Sequence, residues 1–195
     1  MNEAINYLLN RNSMKMVTSP APSDEELALI LQTAISAPDH GALRPWRFKI
    51  IRGEAIKKFA DISIGLRQAS AEPFNPDKEA ATRQWLSEVP LIIAVACYID
   101  YSNTKISESE RMLATGAAVT NILNATHMLG YGAFWSTGIA TYIDEFQTAL
   151  GFDALDYRFM GFLAIGTPKM PIPQKERLSY ELFTDEWTGP AVNKG

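Results

Sequence analysis

Hydrophobic positions along the chain follow two rhythms. Ala4, Ile5, Leu8 and Leu9 recur at helical spacing over residues 2–10. Leu27, Ile30, Leu31, Ala34 and Ile35 do the same behind Ser23-Asp24-Glu25-Glu26, where a hydroxyl followed three positions later by Glu is the signature of a capping box. That second helix must stop by Pro38, because a proline disfavours helical backbone in the residue before it. Short apolar runs at 46–51, 91–98, 133–137 and 159–165 are strand-sized instead, and their near-continuous hydrophobicity suits strands covered on both faces. Between them, Ile56, Phe59, Ala60 and Ile64 mark a helix after the turn Arg52-Gly53-Glu54. Pro73 and Pro76 interrupt the pattern, 78–88 reads as helix up to Pro90, and 145–150 as a short helix. Gly130-Tyr131-Gly132 and Gly166-Thr167-Pro168 punctuate the strands that follow and precede them.

The longest regular element spans 107–129. Met112, Ala117, Val119, Ile122, Leu123 and Met128, padded by Ala114, Gly116 and Ala118, make it apolar nearly all round, as in a helix at the centre of a fold or at a subunit interface. Helix, strand and turn alternate with few hairpin signals. This predicts an α+β fold, or a three-layer α/β/α sandwich, formed by residues 1–195 as a single domain.

Composition narrows the function classes. The chain has 195 residues, 47% of them apolar, enough for one sizeable core, and neither a linker nor a repeat divides it. A net charge of -4 with the signs interspersed leaves no basic stripe for a nucleic-acid backbone. Cys97 is the only cysteine and lies in an apolar run, so no disulfide can form within the chain and no Cys/His metal pattern exists. No run is long enough to span a membrane, and the N-terminus lacks the basic and apolar regions of a signal peptide, so a cytoplasmic location is expected.

The candidate chemistry lies in three separated segments. Arg11-Asn12-Ser13-Met14-Lys15 follows the first helix, Ala37-Pro38-Asp39-His40-Gly41-Ala42-Leu43-Arg44-Pro45-Trp46 follows the second, and Lys175-Glu176-Arg177-Leu178 lies near the end. The first and third supply fixed cations and a hydroxyl suited to a phosphate monoester. The middle one supplies a proline-rich turn before a strand. Taken singly, the first reads as a helix end and the third as an exposed charge pair. His40 reads singly as a surface loop residue, and Trp135 as packing.

In order and spacing the three segments resemble the FMN-dependent nitroreductases, over residues 4–182. The resemblance implies a nitroreductase-like fold with a central, mostly antiparallel sheet wrapped by helices. It also implies an intertwined homodimer with FMN in the interface and a tail, 174–195, crossing onto the partner subunit. The implied activity takes hydride from NADH or NADPH and passes it by a ping-pong route to nitroaromatics, quinones or other small electron-poor acceptors. A related flavin reductase of enoate or dehalogenating type, and a non-catalytic FMN-binding protein, are the alternatives. The flavin carries the chemistry, so no catalytic side chain is implied beyond an electrostatic role for Lys15 at the N1 and C2 edge. Arg11, Ser13, Lys175 and Arg177 match the phosphate and ribityl contacts, with Asn12 supporting them. Pro38, His40 and Arg44 match the loop along the flavin ring, and Trp135, Ser136 and Thr137 match the segment that reaches the flavin of the other subunit. No metal is implied.

Three positions depart from the family's usual pattern. Ala42 stands where Asn is usual and Arg44 where Gln is usual. Ser136 stands where the subgroup carrying Pro-Asp-His has Arg, so a basic residue at the mouth of the pocket is missing.

Overall fold

The computed structural model describes residues 2–173 and 176–189. In chain order it contains α1 (Glu3–Asn10), β1 (Val17–Thr18), α2 (Asp24–Ala34), β2 (Trp46–Arg52), α3 (Glu54–Gln68), α4 (Pro76–Glu88), β3 (Leu91–Tyr98), α5 (Glu108–Met128), β4 (Gly132–Ser136), α6 (Asp144–Ala149) and β5 (Tyr157–Pro168). Single 3₁₀ turns occupy His40–Ala42 and Tyr180–Phe183. Both long helices that begin at a serine carry complete capping boxes, Ser23 with Glu26 on α2 and Ser107 with Glu110 on α5.

The sheet is built around β5. One of its edges pairs with β3, which in turn pairs with β2, while β4 and β1 pair with successive stretches of its C-terminal half. Every described ladder is antiparallel. Strand alternation divides the core into two. Leu91, Ile93 and Val95 pack with Leu27 and Ile30 of α2 and Ala118 and Ile122 of α5. Ile92, Ala94 and Ala96 pack with Phe59 of α3, Trp85 and Leu86 of α4 and Phe146 of α6. Helices therefore cover both faces of the sheet, the three-layer α+β arrangement expected from the pattern. Phe162 sits fully buried on the second face, with Phe59 edge-on at 4.9 Å. Burying side chains of this size stabilises by about 1.5–3 kcal/mol each.

Several boundaries differ from the sequence reading, each for a local reason. Pro76 opens α4 instead of breaking it, since proline is favoured at the first helical position and Asn75 caps the helix by accepting from the Lys78 N–H at 2.8 Å. β5 runs on through Gly166-Thr167-Pro168 because β1 pairs with its last residues, Val17 opposite Pro168 and Thr18 opposite Thr167. β1 itself, two residues long, carries no periodic signal. α1 buries none of its residues, leaving Ile5, Leu8 and Leu9 exposed.

Gly161 has φ +89, and a Cβ there would lie 2.2 Å from the Ser136 carbonyl oxygen. The absence of a side chain is what lets the end of β4 close against β5. Gly161→Ala is expected to cost at least about 2 kcal/mol, combining the left-handed backbone with the clash. Urea unfolding checks this, and a loss under about 0.5 kcal/mol would mean that β4 moves aside freely.

Candidate functional site

The chain leaves α1 at Arg11, whose N–H still donates to the Tyr7 carbonyl at 3.1 Å, and then alternates. Asn12 and Met14 point into the protein while Ser13 and Lys15 face outward, so Arg11, Ser13 and Lys15 share a side. Four residues of extended chain span at most about 14 Å, which bounds the separation of the Arg11 and Lys15 α-carbons. The segment is held on several sides. Met14 N–H donates to the Ala133 carbonyl at 2.8 Å and the Trp85 indole N–H to the Lys15 carbonyl at 2.9 Å. Asn12 is buried, and its amide donates to the Asn10 and Pro173 carbonyls at 3.0 and 2.7 Å. Asn12 thus ties the start of the tail to this segment, and its NH₂ group is already occupied.

At the Arg11 end two guanidinium groups come together. Arg177 donates to the Arg11 carbonyl at 2.6 Å, and no carboxylate pairs with either arginine among the described residues. Burial first, and then the Arg177 charge, lower the pKa of Arg11 below its usual value. Nη1 of Arg11 is buried without a hydrogen-bond partner. A buried donor of this kind beside a second cation is suited to an anionic ligand. Lys175, the other basic residue expected here, lies outside the described residues.

The Lys15 end opens into a cleft of about 490 Å³, inside the range of small-molecule sites. It is lined by Lys15, Arg67, Phe74, Lys78, Trp85, Phe134 and the 135–139 stretch, among others. Lys15 Nζ lies 4.7 Å from the centre of the Trp85 ring, and Trp85 meets Phe134 edge-on at 5.9 Å. Trp135, Ser136 and Thr137 therefore line the same cleft as Lys15 of their own chain. Phe134 belongs to the Trp85 side of the sheet and Trp135 to the opposite core, where its indole donates to the Met160 carbonyl at 2.8 Å. The Trp135 ring is packing, and Phe134 supplies the aromatic wall. Ser136 is buried, so no long basic side chain stands at that position.

Pro38, His40 and Arg44 are not brought to this cleft. Pro38 and His40 line a separate hollow of about 250 Å³ against α5, with Glu110 and Leu113. The loop is strained at Ala42 and Arg44, with φ +53 and +49, while Gly41 takes φ +70 at no steric cost to its own backbone. Asn tolerates left-handed backbone and Ala does not, so the Ala42 departure leaves strain that an Asn would relieve. Arg44 is exposed, and its N–H is held by the Asp39 carboxylate. His40 Nδ1 lies 2.9 Å from Glu110 Oε1, which can only accept, so Nδ1 carries the hydrogen. His127 meets Tyr7 edge-on at 6.1 Å, and its pKa is lowered by burial and then by the Arg11 charge.

Sequence reasoning missed Arg67, Phe74, Lys78 and Phe134. The first three lie at the α3–α4 junction, where the sequence shows only prolines and mixed charge. Phe134 adjoins the quoted Trp135, and strict strand alternation was the signal that would have chosen between them. Among the described residues no group of three metal-binding side chains gathers, and no helix is long and apolar enough to cross a membrane.

The chain is an α/β/α sandwich whose sheet edge carries a cleft lined by Lys15, Arg67 and Lys78, a lining suited to a small anionic ligand. The chain belongs to the nitroreductase family, whose model matches residues 8–167. It is 32% identical over 169 residues to the Escherichia coli protein named "Putative NAD(P)H nitroreductase YdjA", covering 86% of this chain and 90% of that one. Among solved structures, a Desulfovibrio desulfuricans nitroreductase homologue in complex with FMN matches with TM-score 0.75 and 26% identity, over 97% of this chain and 99% of that one. A nitroreductase-like family protein from Bacillus cereus matches in fold with TM-score 0.80 at 24% identity, over 97% and 98% of the two chains.

Hydrogen bonds from His40 and from the Ser107 backbone and hydroxyl hold the Glu110 carboxyl at about 2, below its ordinary 4.5. A depressed carboxyl contributes stability that is present above pH 4.5 and lost as pH falls toward 2. Wild type is accordingly expected to exceed Glu110→Gln in stability at pH 6, with the difference shrinking through that window. Urea unfolding at stepped pH checks this, and a pH-independent difference would remove the charge from the explanation.

Proposed function

We propose that the chain is an FMN-dependent oxidoreductase that takes hydride from NADH or NADPH and delivers it to a small electron-poor acceptor, a nitroaromatic or a quinone. Donor and acceptor use the cleft in turn. One juxtaposition carries the reading: an extended segment with an unneutralised arginine pair at one end and Lys15 in an aromatic-walled cleft at the other. An elongated cofactor with a phosphate at one end and a polar ring edge at the other matches that spacing. Bound there, FMN supplies hydride acceptance at N5, with negative charge developing along its N1 and C2 edge.

The protein's share is binding and electrostatics. Arg11, Arg177 and Lys175 hold the phosphate, and the free side of Ser13 faces the ribityl chain. Lys15, already oriented over Trp85, places its ammonium where negative charge develops, so the site does not have to reorganise as charge appears. Trp85 and Phe134 wall the cleft against water. Asp, Glu and His are absent from the described lining, and protons are left to solvent.

The active form in this reading is a homodimer. Leu178, Tyr180, Leu182, Phe183 and Trp187 are all exposed in the single chain, as is the apolar side of α1. Docking on a second copy covers them. The 38–44 loop, lying away from its own cleft, then approaches the cleft of the partner with Pro38, His40 and Arg44.

The purified protein is expected to show a flavin absorbance spectrum that anaerobic NADH or NADPH bleaches; a protein that retains no added FMN overturns the proposal. Arg11→Ala and Arg177→Ala should each weaken FMN by about 1.5–3 kcal/mol, or roughly one to two decades, in a fluorescence titration. Lys15→Met should keep FMN but lower its midpoint potential and slow its reduction. Weak binding with normal reduction at saturation would reassign Lys15 to the phosphate. Light scattering should give a dimer for the full chain and dissociation, with loss of colour, after truncation at Pro173. A truncated dimer with stoichiometric FMN would sink the assembly model.

A further inference from the structure

We propose that Arg67, Phe74 and Lys78, on the outer wall of the cleft, form an anion-recognition subsite for the substrate that visits the cleft, so that a donor or acceptor bearing an extra anionic group is preferred. The proposal deepens the functional reading above and rests on it.

The geometry is that of a built site. Arg67 lies in the last turn of α3, Lys78 in the first turn of α4, and Phe74 on the connection between them. Both cations address one ring. The Arg67 guanidinium carbon is 5.4 Å and Lys78 Nζ 4.6 Å from the Phe74 ring centre, and Phe74 itself is 8% exposed. The connection is held from within. Gln68 accepts from the Phe74 N–H at 2.7 Å and donates to Glu79 at 2.6 Å, while Ser70 donates to the Arg67 carbonyl at 2.7 Å.

Neutralisation distinguishes this wall from the other hollow on the same helix pair. A second hollow of about 610 Å³, also lined from α3 and α4, contains cations as well. There Arg83 is paired with Glu79 and Asp61 at 2.9 and 2.8 Å, and Lys57 with Asp61 at 2.9 Å. In the cleft, no Asp or Glu appears among the described lining residues beside Lys15, Arg67 and Lys78. Arg67 touches one acid, Glu72, at 3.1 Å, but that carboxylate is 82% exposed, and a pair so open to water holds little. Nε of Arg67 is buried with no hydrogen-bond partner. A cation over an aromatic face keeps its full charge and its N–H donors, so this wall presents unsatisfied positive charge to whatever enters. The phosphate of the flavin is assigned to Arg11 and Arg177, at the other end of the 11–15 segment. The anion sought here therefore belongs to the exchanging substrate. Its two sources are a phosphate on the nicotinamide donor and a carboxylate on the acceptor.

Arg67→Gln, Lys78→Gln and the double variant of the holoenzyme test this with matched pairs. Anaerobic reduction by NADPH against NADH reads the donor phosphate. Reoxidation by 4-nitrobenzoate against 4-nitrobenzamide reads an acceptor carboxylate. Calorimetric titration with adenosine 2′,5′-bisphosphate against adenosine 5′-monophosphate reads binding without turnover. In one pair at least, wild type should favour the more anionic member, and the double variant should lower that selectivity ratio about 10- to 100-fold, as expected for charge-assisted bonds. The donor pair and the titration moving together identify a phosphate; the acceptor pair moving alone identifies a carboxylate. Ratios unchanged in all three pairs overturn the proposal. So does loss of FMN with the ratios intact, which would assign the two cations to the flavin. A wild-type protein that nicotinamides cannot reduce refutes the functional reading instead, and the calorimetric pair then still decides the subsite.

Discussion

β5 is committed on four sides at once, and the site depends on that commitment. Its edges carry β3 on one flank and then β4 and β1 along the C-terminal half, and both of its faces are buried under helices. Because side chains alternate, a slip of one residue would exchange Leu163 and Ile165 with Phe162 and Ala164 between two cores of different shape. Register is thereby set. Lys15 and Ser136 both inherit it, since β4 pairs with β5 and the Met14 N–H is bonded to Ala133 of β4. Gly161 completes the arrangement by letting the Ser136 carbonyl approach where any Cβ would collide. The candidate site is thus assembled on strand edges, which position side chains more tightly than free loops do.

Electrostatics give that scaffold its direction. Arg52, Lys57, Arg83, Arg158 and Lys169 are each paired with a carboxylate, whereas the cations at the two ends of the 11–15 segment are not. Arg11 and Arg177 approach each other without a carboxylate between them, and Lys15 rests over Trp85. Holding like charges together costs stability in the free protein. Binding an anion removes that cost, so a ligand at this point stabilises the fold as well as occupying it. The strained turn at Ala42 and Arg44 is a second local cost, located on the layer opposite the cleft. In the proposed dimer it faces the neighbouring site.

Much of the layer order could be read from the chain because it rests on short-range rules. Ser23 and Ser107 announce their helices through capping boxes closed within four residues, and the apolar run at 91–98 is covered on both faces as its composition requires. Arg11, Ser13 and Lys15 share a side because extended backbone has a period of two, wherever the segment lies. The misreadings occurred where a distant partner overrides the local signal. β1 exists only because the end of β5 supplies its hydrogen bonds, and the same pairing carries β5 through Gly166 and Pro168.

The chain by itself determined its helices, its longer strands, its two buried strand faces and the residue types expected of a phosphate- and flavin-like site, since each depends on neighbours a few positions away. Tertiary structure alone decided which of those residues meet. It turned Asn12 inward onto Pro173, separated by 161 positions, and put Trp135 into the opposite core while Phe134 meets Trp85 in the cleft. It brought Arg67 and Lys78 into the cleft and kept Pro38, His40 and Arg44 out of it. The reason is physical: contacts between segments far apart in sequence are set by sheet register and helix packing, and no periodicity along the chain records them.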